Sequence, residues 1–200
     1  MHPAGAFHVT DPERVAALVA ERGFALIFAQ GKDGPLVAHA PVLMARDRLR
    51  FHLSANNAMN ATLADGAGAL AVVTGADAYI SPDWYGIVDQ VPTWNYLSAE
   101  LEGPVRAMSR EETTAFLDDL SAHFEARLAP KPPWTRAKMD PARFEAMLGG
   151  IIGYEMRLER IAGIAKLSQN KPADAVARVA ERLAELDDPG SKAIGRLMGG

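Results

Sequence analysis

Between Phe24 and Ser54 the chain holds three strand-length apolar runs, Phe24 to Gln30, Leu36 to Met44 and Arg48 to Ser54. Only Gly31-Lys32-Asp33-Gly34 and Ala45-Arg46-Asp47 join them. Connections this short leave no room for the crossover that parallel pairing requires, so the three runs read as an antiparallel meander. In the third run Leu49, Phe51 and Leu53 alternate with Arg48, Arg50 and His52. That period of two marks a strand with one buried face.

The flanking sequence supplies helices between strands rather than a repeating strand-helix alternation. Thr10, with Glu13 three residues on, reads as a capping box that opens a helix with Val15, Leu18 and Val19 along its apolar stripe up to Gly23. Asn56 to Asp65 reads as a short helix and Gly68 to Thr74 as a buried strand. Ser109 with Glu112 caps a second long helix whose inner side is Phe116, Leu117, Leu120 and Phe124. The cluster Pro130-Lys131-Pro132-Pro133 ends it as an extended crossing with Trp134 free to dock, and Asp140-Pro141 starts a short third helix through Leu148. Ile152, Tyr154, Met156 and Leu158 alternate with Glu155, Arg157 and Glu159 as a further strand. From Pro172 a helix with a Val176, Val179, Ala180, Leu183 and Leu186 stripe runs to Asp187-Asp188-Pro189-Gly190, and the tail from Ser191 reads as a frayed extra turn.

About six antiparallel strands with inserted helices define an α+β chain built on a small barrel. At 200 residues the sequence fits a single domain, 1–200, with a C-terminal helical extension over about 172–200. The part beyond the proline cluster is long enough for a semi-independent lobe.

Tyr79, Trp84, Tyr85, Trp94 and Tyr96 are concentrated in one stretch broken by prolines. From Pro92 onward Thr93, Asn95, Leu97, Ala99, Leu101 and Val105 share one face of a strand, while Trp94, Tyr96, Ser98, Glu100 and Glu102 share the other. Clustered rings often pack a core, yet these stand on the more polar face, where a ligand or a partner chain is the expected use.

The composition narrows the function classes. No cysteine occurs, which excludes disulfides, thiolate metal sites and cysteine nucleophiles and is compatible with a reducing cytoplasm. The N-terminus has neither a basic start nor an apolar run, and no stretch is long enough to span a bilayer, so a soluble cytoplasmic protein is expected. With a net charge of -4 and basic residues scattered among acidic ones, the chain lacks the broad positive field of a nucleic-acid binder.

Candidate chemistry is sparse. His39 and His52 lie on neighbouring strands that place them within reach of each other, but no third ligand stands at metal spacing, and no metal site is expected. No nucleophile elbow, paired acid and base, or glycine-rich phosphate loop is present, so catalytic residues stay unassigned. Lys166-Leu167-Ser168-Gln169-Asn170-Lys171 packs two ammonium groups, a hydroxyl and two amides into six residues. Such a run serves a phosphate or a heteroaromatic edge, or else forms a solvated turn with Asn170 capping the next helix.

Taken together, Ala38-His39-Ala40-Pro41, His52 followed by Asn57, the block from Gly75 to Tyr85, Val91-Pro92-Thr93-Trp94-Asn95-Tyr96, and Lys166-Leu167-Ser168-Gln169-Asn170 resemble the PaiB-type family of FMN-binding negative transcriptional regulators. That family is a branch of the flavin split-barrel superfamily that includes pyridoxamine-phosphate oxidase. The resemblance implies a six-stranded antiparallel split β-barrel with flanking helices, forming a symmetric homodimer with a flavin pocket at each end of the subunit seam. It implies cofactor contacts at His39, Pro41, Ser54, Asn57, Asn60, Trp94, Asn95, Lys166, Ser168 and Gln169. Trp94 and Tyr96 would face the seam or the flavin, and Lys166 and Gln169 would approach the flavin from the partner subunit.

The sequence departs from the family where Ala55, Ala58 and Asn60 replace a larger or basic residue, a proline and a tryptophan. Ser54, Asn56, Asn57 and Asn60 offer hydrogen bonds without a cation, so a weak hold on the FMN phosphate is expected. The expected functions are a flavin-dependent reductase or sensor of a small molecule, a regulator acting through partners or metabolism, and a barrel that has exchanged flavin for another planar ligand such as haem, with His39 or His52 serving it. No helix-turn-helix is present, and Arg178 and Arg182 alternate with Glu181 and Glu185, so direct DNA contact is not expected.

Overall fold

The computed structural model describes residues 2–63 and 66–199. Its elements are β1 (His8–Val9), α1 (Pro12–Arg22), β2 (Phe24–Gly31), β3 (Gly34–Ala45), β4 (Arg48–Ser54), α2 (Asn60–Leu63), β5 (Gly68–Ile80), β6 (Thr93–Ala107), α3 (Arg110–Glu125), α4 (Pro141–Leu148), β7 (Ile151–Arg157), β8 (Arg160–Lys166), α5 (Ala173–Glu185) and α6 (Pro189–Met198). The strand order is β1-β8-β6-β5-β2-β3-β4-β7, and β6 also pairs with β7. That last pairing closes β6, β5, β2, β3, β4 and β7 into a ring of six, the split barrel. Two compact units divide the chain.

The barrel unit comprises Val19–Val72 and Leu101–Arg160. Its meander has the register the short turns require: Gly31 faces Gly34, Ala45 faces Arg48, and β4 then pairs with β7 from Arg48↔Arg157 to Ser54↔Ile151. Leu49, Phe51 and Leu53 are buried as their alternation predicts, together with Ile27, Val42, Leu101, Tyr154 and Met156. The rings of Phe51 and Tyr154 stack at 5.4 Å. Closure depends on Gly103, because a Cβ there would lie 1.8 Å from the Arg157 carbonyl oxygen. Only a residue without a side chain lets the strands meet at that point.

Helix α3 carries the capping box read from sequence: the Ser109 hydroxyl accepts from the Glu112 amide and the Glu112 carboxylate accepts from the Ser109 amide. Arg106 also grips Glu112, and with the Ser109 amide this holds the carboxyl down at about 2. Phe116 and Leu120 are buried beneath α3, and Asp140 caps α4.

The second unit comprises Met1–Leu18, Val73–Glu100 and Ile161–Gly200. Here β1 pairs with β8. Ala78, Ile80 and Tyr85 pack with Ala175, Val179 and Leu183 of α5 and Ile194 of α6 in one cluster. At Gly195 a Cβ would lie 3.0 Å from the Ala180 carbonyl oxygen, so this glycine permits the close approach of α5 and α6.

Five readings of the sequence are corrected. Asp11, not Thr10, caps α1: its carboxylate accepts from the Glu13 amide at 2.9 Å, with Pro12 as the first helical residue. The tail is not frayed but forms α6, with Asp188 as its cap and Ser191, Ile194 and Gly195 buried. Asp188-Pro189 is therefore a helix start as well as the end of α5. Asn170 does not cap α5, whose N-cap position is Pro172. Of the helix expected over 56–65, Asn60–Leu63 is helical, and residues 64 and 65 lie outside the described residues. Neither unit begins at the proline cluster, which lies inside the barrel unit.

Candidate functional site

The expected contact residues fall into two groups, each within one unit. In the barrel unit the segment after β4 is a self-braced loop. The Asn57 amide donates to the Ser54 carbonyl, the Asn57 side-chain oxygen accepts from the Met59 amide, and Asn60 Nδ2 donates to the carbonyls of both Ser54 and Ala55 at 2.9 Å. The buried Tyr154 donates its phenol proton to Asn60 Oδ1 at 3.0 Å, fastening the loop to β7. Burial raises the Tyr154 pKa, so the phenol stays a donor.

This bracing decides what the loop can offer a ligand. Asn60 Nδ2 and the oxygen of Asn57 are spent inside the loop and Asn60 Oδ1 on Tyr154, which leaves the Ser54 hydroxyl proton, the Asn56 side-chain amide and Asn57 Nδ2. These donors fit the acceptor oxygens of a phosphate, and no residue from 54 to 60 carries a cation.

His39 and Pro41 are not drawn into that loop by any hydrogen bond among the described residues. His39 is exposed on β3 with its ring stacked on Phe24 at 6.2 Å, and Pro41 faces Phe24 across the β2–β3 ladder. His52 meets Phe116 of α3 edge-on at 6.0 Å. The two imidazoles thus pack against different rings rather than against each other. Burial lowers the His52 pKa, and its Nδ1 is buried without a partner among the described residues. Among the described residues no three His, Cys, Asp or Glu side chains are grouped to hold a metal.

In the second unit the Lys166–Asn170 run forms a hydrogen-bonded knot around one buried residue, Ser168. Ser168 has a left-handed backbone, φ 60°, and is only 3% exposed. Its hydroxyl lies 2.7 Å from the Tyr85 phenol and accepts from Asn95 Nδ2 at 2.9 Å, with Asn95 itself fully buried. Gln169 donates to the Ala6 and Ala165 carbonyls and accepts from the Leu167 amide. The Lys166 ammonium donates to Thr93 Oγ1 and lies 5.9 Å from the Phe7 ring centre, and burial lowers its pKa. Asn95, Ser168, Gln169 and Lys166 are therefore brought together, and much of their bonding capacity is met inside the unit.

Trp94 is separate from that knot. Thr93 and Trp94 are consecutive strand residues and point to opposite faces of β6, so the indole stands away from the side that Lys166 contacts. It is 55% exposed and meets Tyr79 of β5 edge-on, with ring centres 6.2 Å apart. Val88 and Val91, in the connection between those strands, are 81% and 74% exposed. Sequence reasoning left Tyr85 off the list of site residues. It is the hub of the knot: its hydroxyl meets Ser168, its carbonyl accepts from Arg178, and the Lys171 ammonium lies 5.5 Å from its ring centre. Its signal was its place in the aromatic block.

A closed ring of six antiparallel strands, with helices and a polar loop following the fourth strand of the chain, defines a split β-barrel protein of the α+β class. The chain belongs to the family described as "Putative FMN-binding domain", whose model matches residues 1–160. It is 27% identical over 196 residues to the protease synthase and sporulation protein PAI 2 of Bacillus subtilis, covering 96% of this chain and 93% of that one. Among solved structures it is similar to the FAD and heme binding protein of Mycobacterium smegmatis, with a TM-score of 0.59 and 20% identity over 80% of this chain and 73% of that one. The flavocytochrome Anf3 of Azotobacter vinelandii also has a TM-score of 0.59, with 16% identity over 96% of this chain and 78% of that one. These likenesses show the fold.

Proposed function

We propose that this chain is a flavin-binding protein that works as a symmetric homodimer in the cytoplasm, holding FMN weakly at the subunit seam. The observation that carries the reading is the exposed Tyr79–Trp94 pair on neighbouring strands of a family member whose core is already filled. Large rings left outside a complete core are the usual mark of a surface that another molecule covers.

In this reading Ser54, Asn56 and Asn57 hold the phosphate by neutral hydrogen bonds. Neutral donors hold a dianion with about half the strength of charge-assisted ones, which is why binding is weak. When bound, the flavin supplies the electron chemistry, and the protein supplies orientation and exclusion of water. Any regulatory role is exerted through partners or metabolism rather than by reading DNA. Arg178 is tied to the Tyr85 carbonyl and to Asp174, and Arg182 is tied to Glu185.

Titration of the purified protein with FMN, followed by absorbance and by quenching of flavin fluorescence, tests the binding. A saturable spectral change is expected, weaker for riboflavin. Sedimentation tests the assembly, with a dimer expected, and a monomer or an unquenched flavin at high protein concentration refutes the corresponding half.

A further inference from the structure

A concave feature outside the candidate site lies wholly in the barrel unit, between α3, α4 and the proline-rich crossing that joins them. It has a volume of about 760 Å³, within the usual size range of small-molecule sites. Its construction follows from the helix period. Thr113, Phe116 and Leu120 occupy the buried side of α3, so Asp118, Ser121 and Ala122 come round on the other side and form one wall. The crossing folds back to form the other wall: the Glu125 carboxylate accepts from the Trp134 amide at 2.8 Å and binds the Lys131 ammonium, while the Lys138 ammonium donates to the Pro133 carbonyl.

Two aromatic rings, Trp134 and Phe144, line the space. Arg136 sets its polarity. The guanidinium lies 5.1 Å from the Phe144 ring centre and grips Asp118 through Nε and Nη2, at 3.1 and 2.9 Å. Asp118 raises its pKa further, so it is charged at all relevant pH values. Its Nη1 has no hydrogen-bond partner among the described residues. Two directed N–H groups are thereby left on a cation already fixed in place. The lining holds one cation, Arg136, and two carboxylates, each already bound by an arginine: Asp118 by Arg136 and Glu145 by Arg110.

We propose that this cavity is a second ligand site, which takes a small planar aromatic carboxylate. The ring lies against Trp134 and Phe144, and the carboxylate accepts from Arg136 Nη1. Flat apolar walls select an aromatic body, and a pre-oriented guanidinium selects an acceptor anion over a cation. The site is independent of flavin binding.

The test uses the full chain with its tryptophans labelled with ¹⁵N and read by NMR, with indole-3-carboxylate as the probe and tryptamine as its cationic counterpart. The indole signal of Trp134, assigned with Trp134→Phe, is expected to shift saturably at about 1 mM carboxylate. The signals of Trp84 and Trp94 should stay in place. Arg136→Met is expected to weaken binding at least about tenfold, the loss of one charge-assisted bond. Unmoved Trp84 and Trp94 signals report that this variant is folded. Ala122→Phe, which fills the space from the α3 wall, should abolish the shift. No saturable shift at Trp134, equal binding of tryptamine, or full binding by folded Arg136→Met would each overturn the proposal.

Discussion

The Tyr85 phenol and the Ser168 hydroxyl, 83 positions apart in the chain, lie 2.7 Å from each other in the interior of the second unit. Asn95 donates to the same serine oxygen, so one hydroxyl satisfies two buried partners. The serine reaches them only because its backbone is left-handed, a conformation that costs an L-residue about 1–2 kcal/mol. The family-like Lys-Leu-Ser-Gln-Asn run is thus a structural keystone, whatever it also contributes to a ligand.

Ser168→Ala should destabilise the protein by about 1–3 kcal/mol, because it keeps the strained backbone and strands buried polar groups. Ser168→Gly loses the same bonds but relieves the backbone, so it should be the milder of the two. Chemical denaturation of both variants checks the order, and the reverse order would mean that the left-handed conformation carries no cost here.

Trp94→Ala should weaken self-association by ~2 kcal/mol or more while leaving the denaturation midpoint of the dilute chain nearly unchanged. An indole already 55% exposed has little folding energy to lose. Sedimentation over a concentration series measures the first effect and urea denaturation the second.

A lysine at position 55 should strengthen FMN binding by about tenfold, the worth of one hydrogen bond to a charged group. Ala55 is exposed on the polar loop, and its amide is already used by the Gly150 carbonyl, so the backbone need not change. Riboflavin, which lacks the phosphate, should gain nothing. Parallel titrations of Ala55→Lys with both flavins, repeated at high salt, separate a phosphate effect from a general one.

His52 should make stability depend on pH in one direction. Burial lowers its pKa in the folded state, so near its ordinary value of 6.5 the unfolded chain takes up a proton that the folded chain refuses. Stability is therefore full above pH 6.5. It falls as the pH drops from there through the lowered folded value, and then levels off. His52→Leu should flatten this segment of the curve, measured as the urea midpoint from about pH 7.5 to about pH 5.5. An unchanged slope would assign the dependence to other groups.

Much of the fold was readable from local pattern. The alternation of Leu49, Phe51 and Leu53, the Ser109 and Glu112 capping box, and Asp140 before Pro141 each specify a structure from neighbours a few residues away. Where the local signals were double, reading failed: Asp188-Pro189 ends one helix and starts another, and the chain from Arg160 to Lys166 is an eighth-strand partner for β6 with too little alternation to announce itself. The candidate residues were legible as residue types in a familiar order, but not in their partners.

By itself the sequence determined the antiparallel meander, most of the helices, and the placing of Trp94 and Tyr96 opposite Asn95 and Leu97, because backbone periodicity and end-capping act over one or two turns of chain. The tertiary structure alone decided that Gly103 permits the ring to close, that Ser168 sits between Tyr85 and Asn95, and that His39 and His52 pack against separate rings. Such contacts join residues far apart in the chain. They follow from how close two backbones come and which polar groups lose water together, quantities that no local pattern encodes.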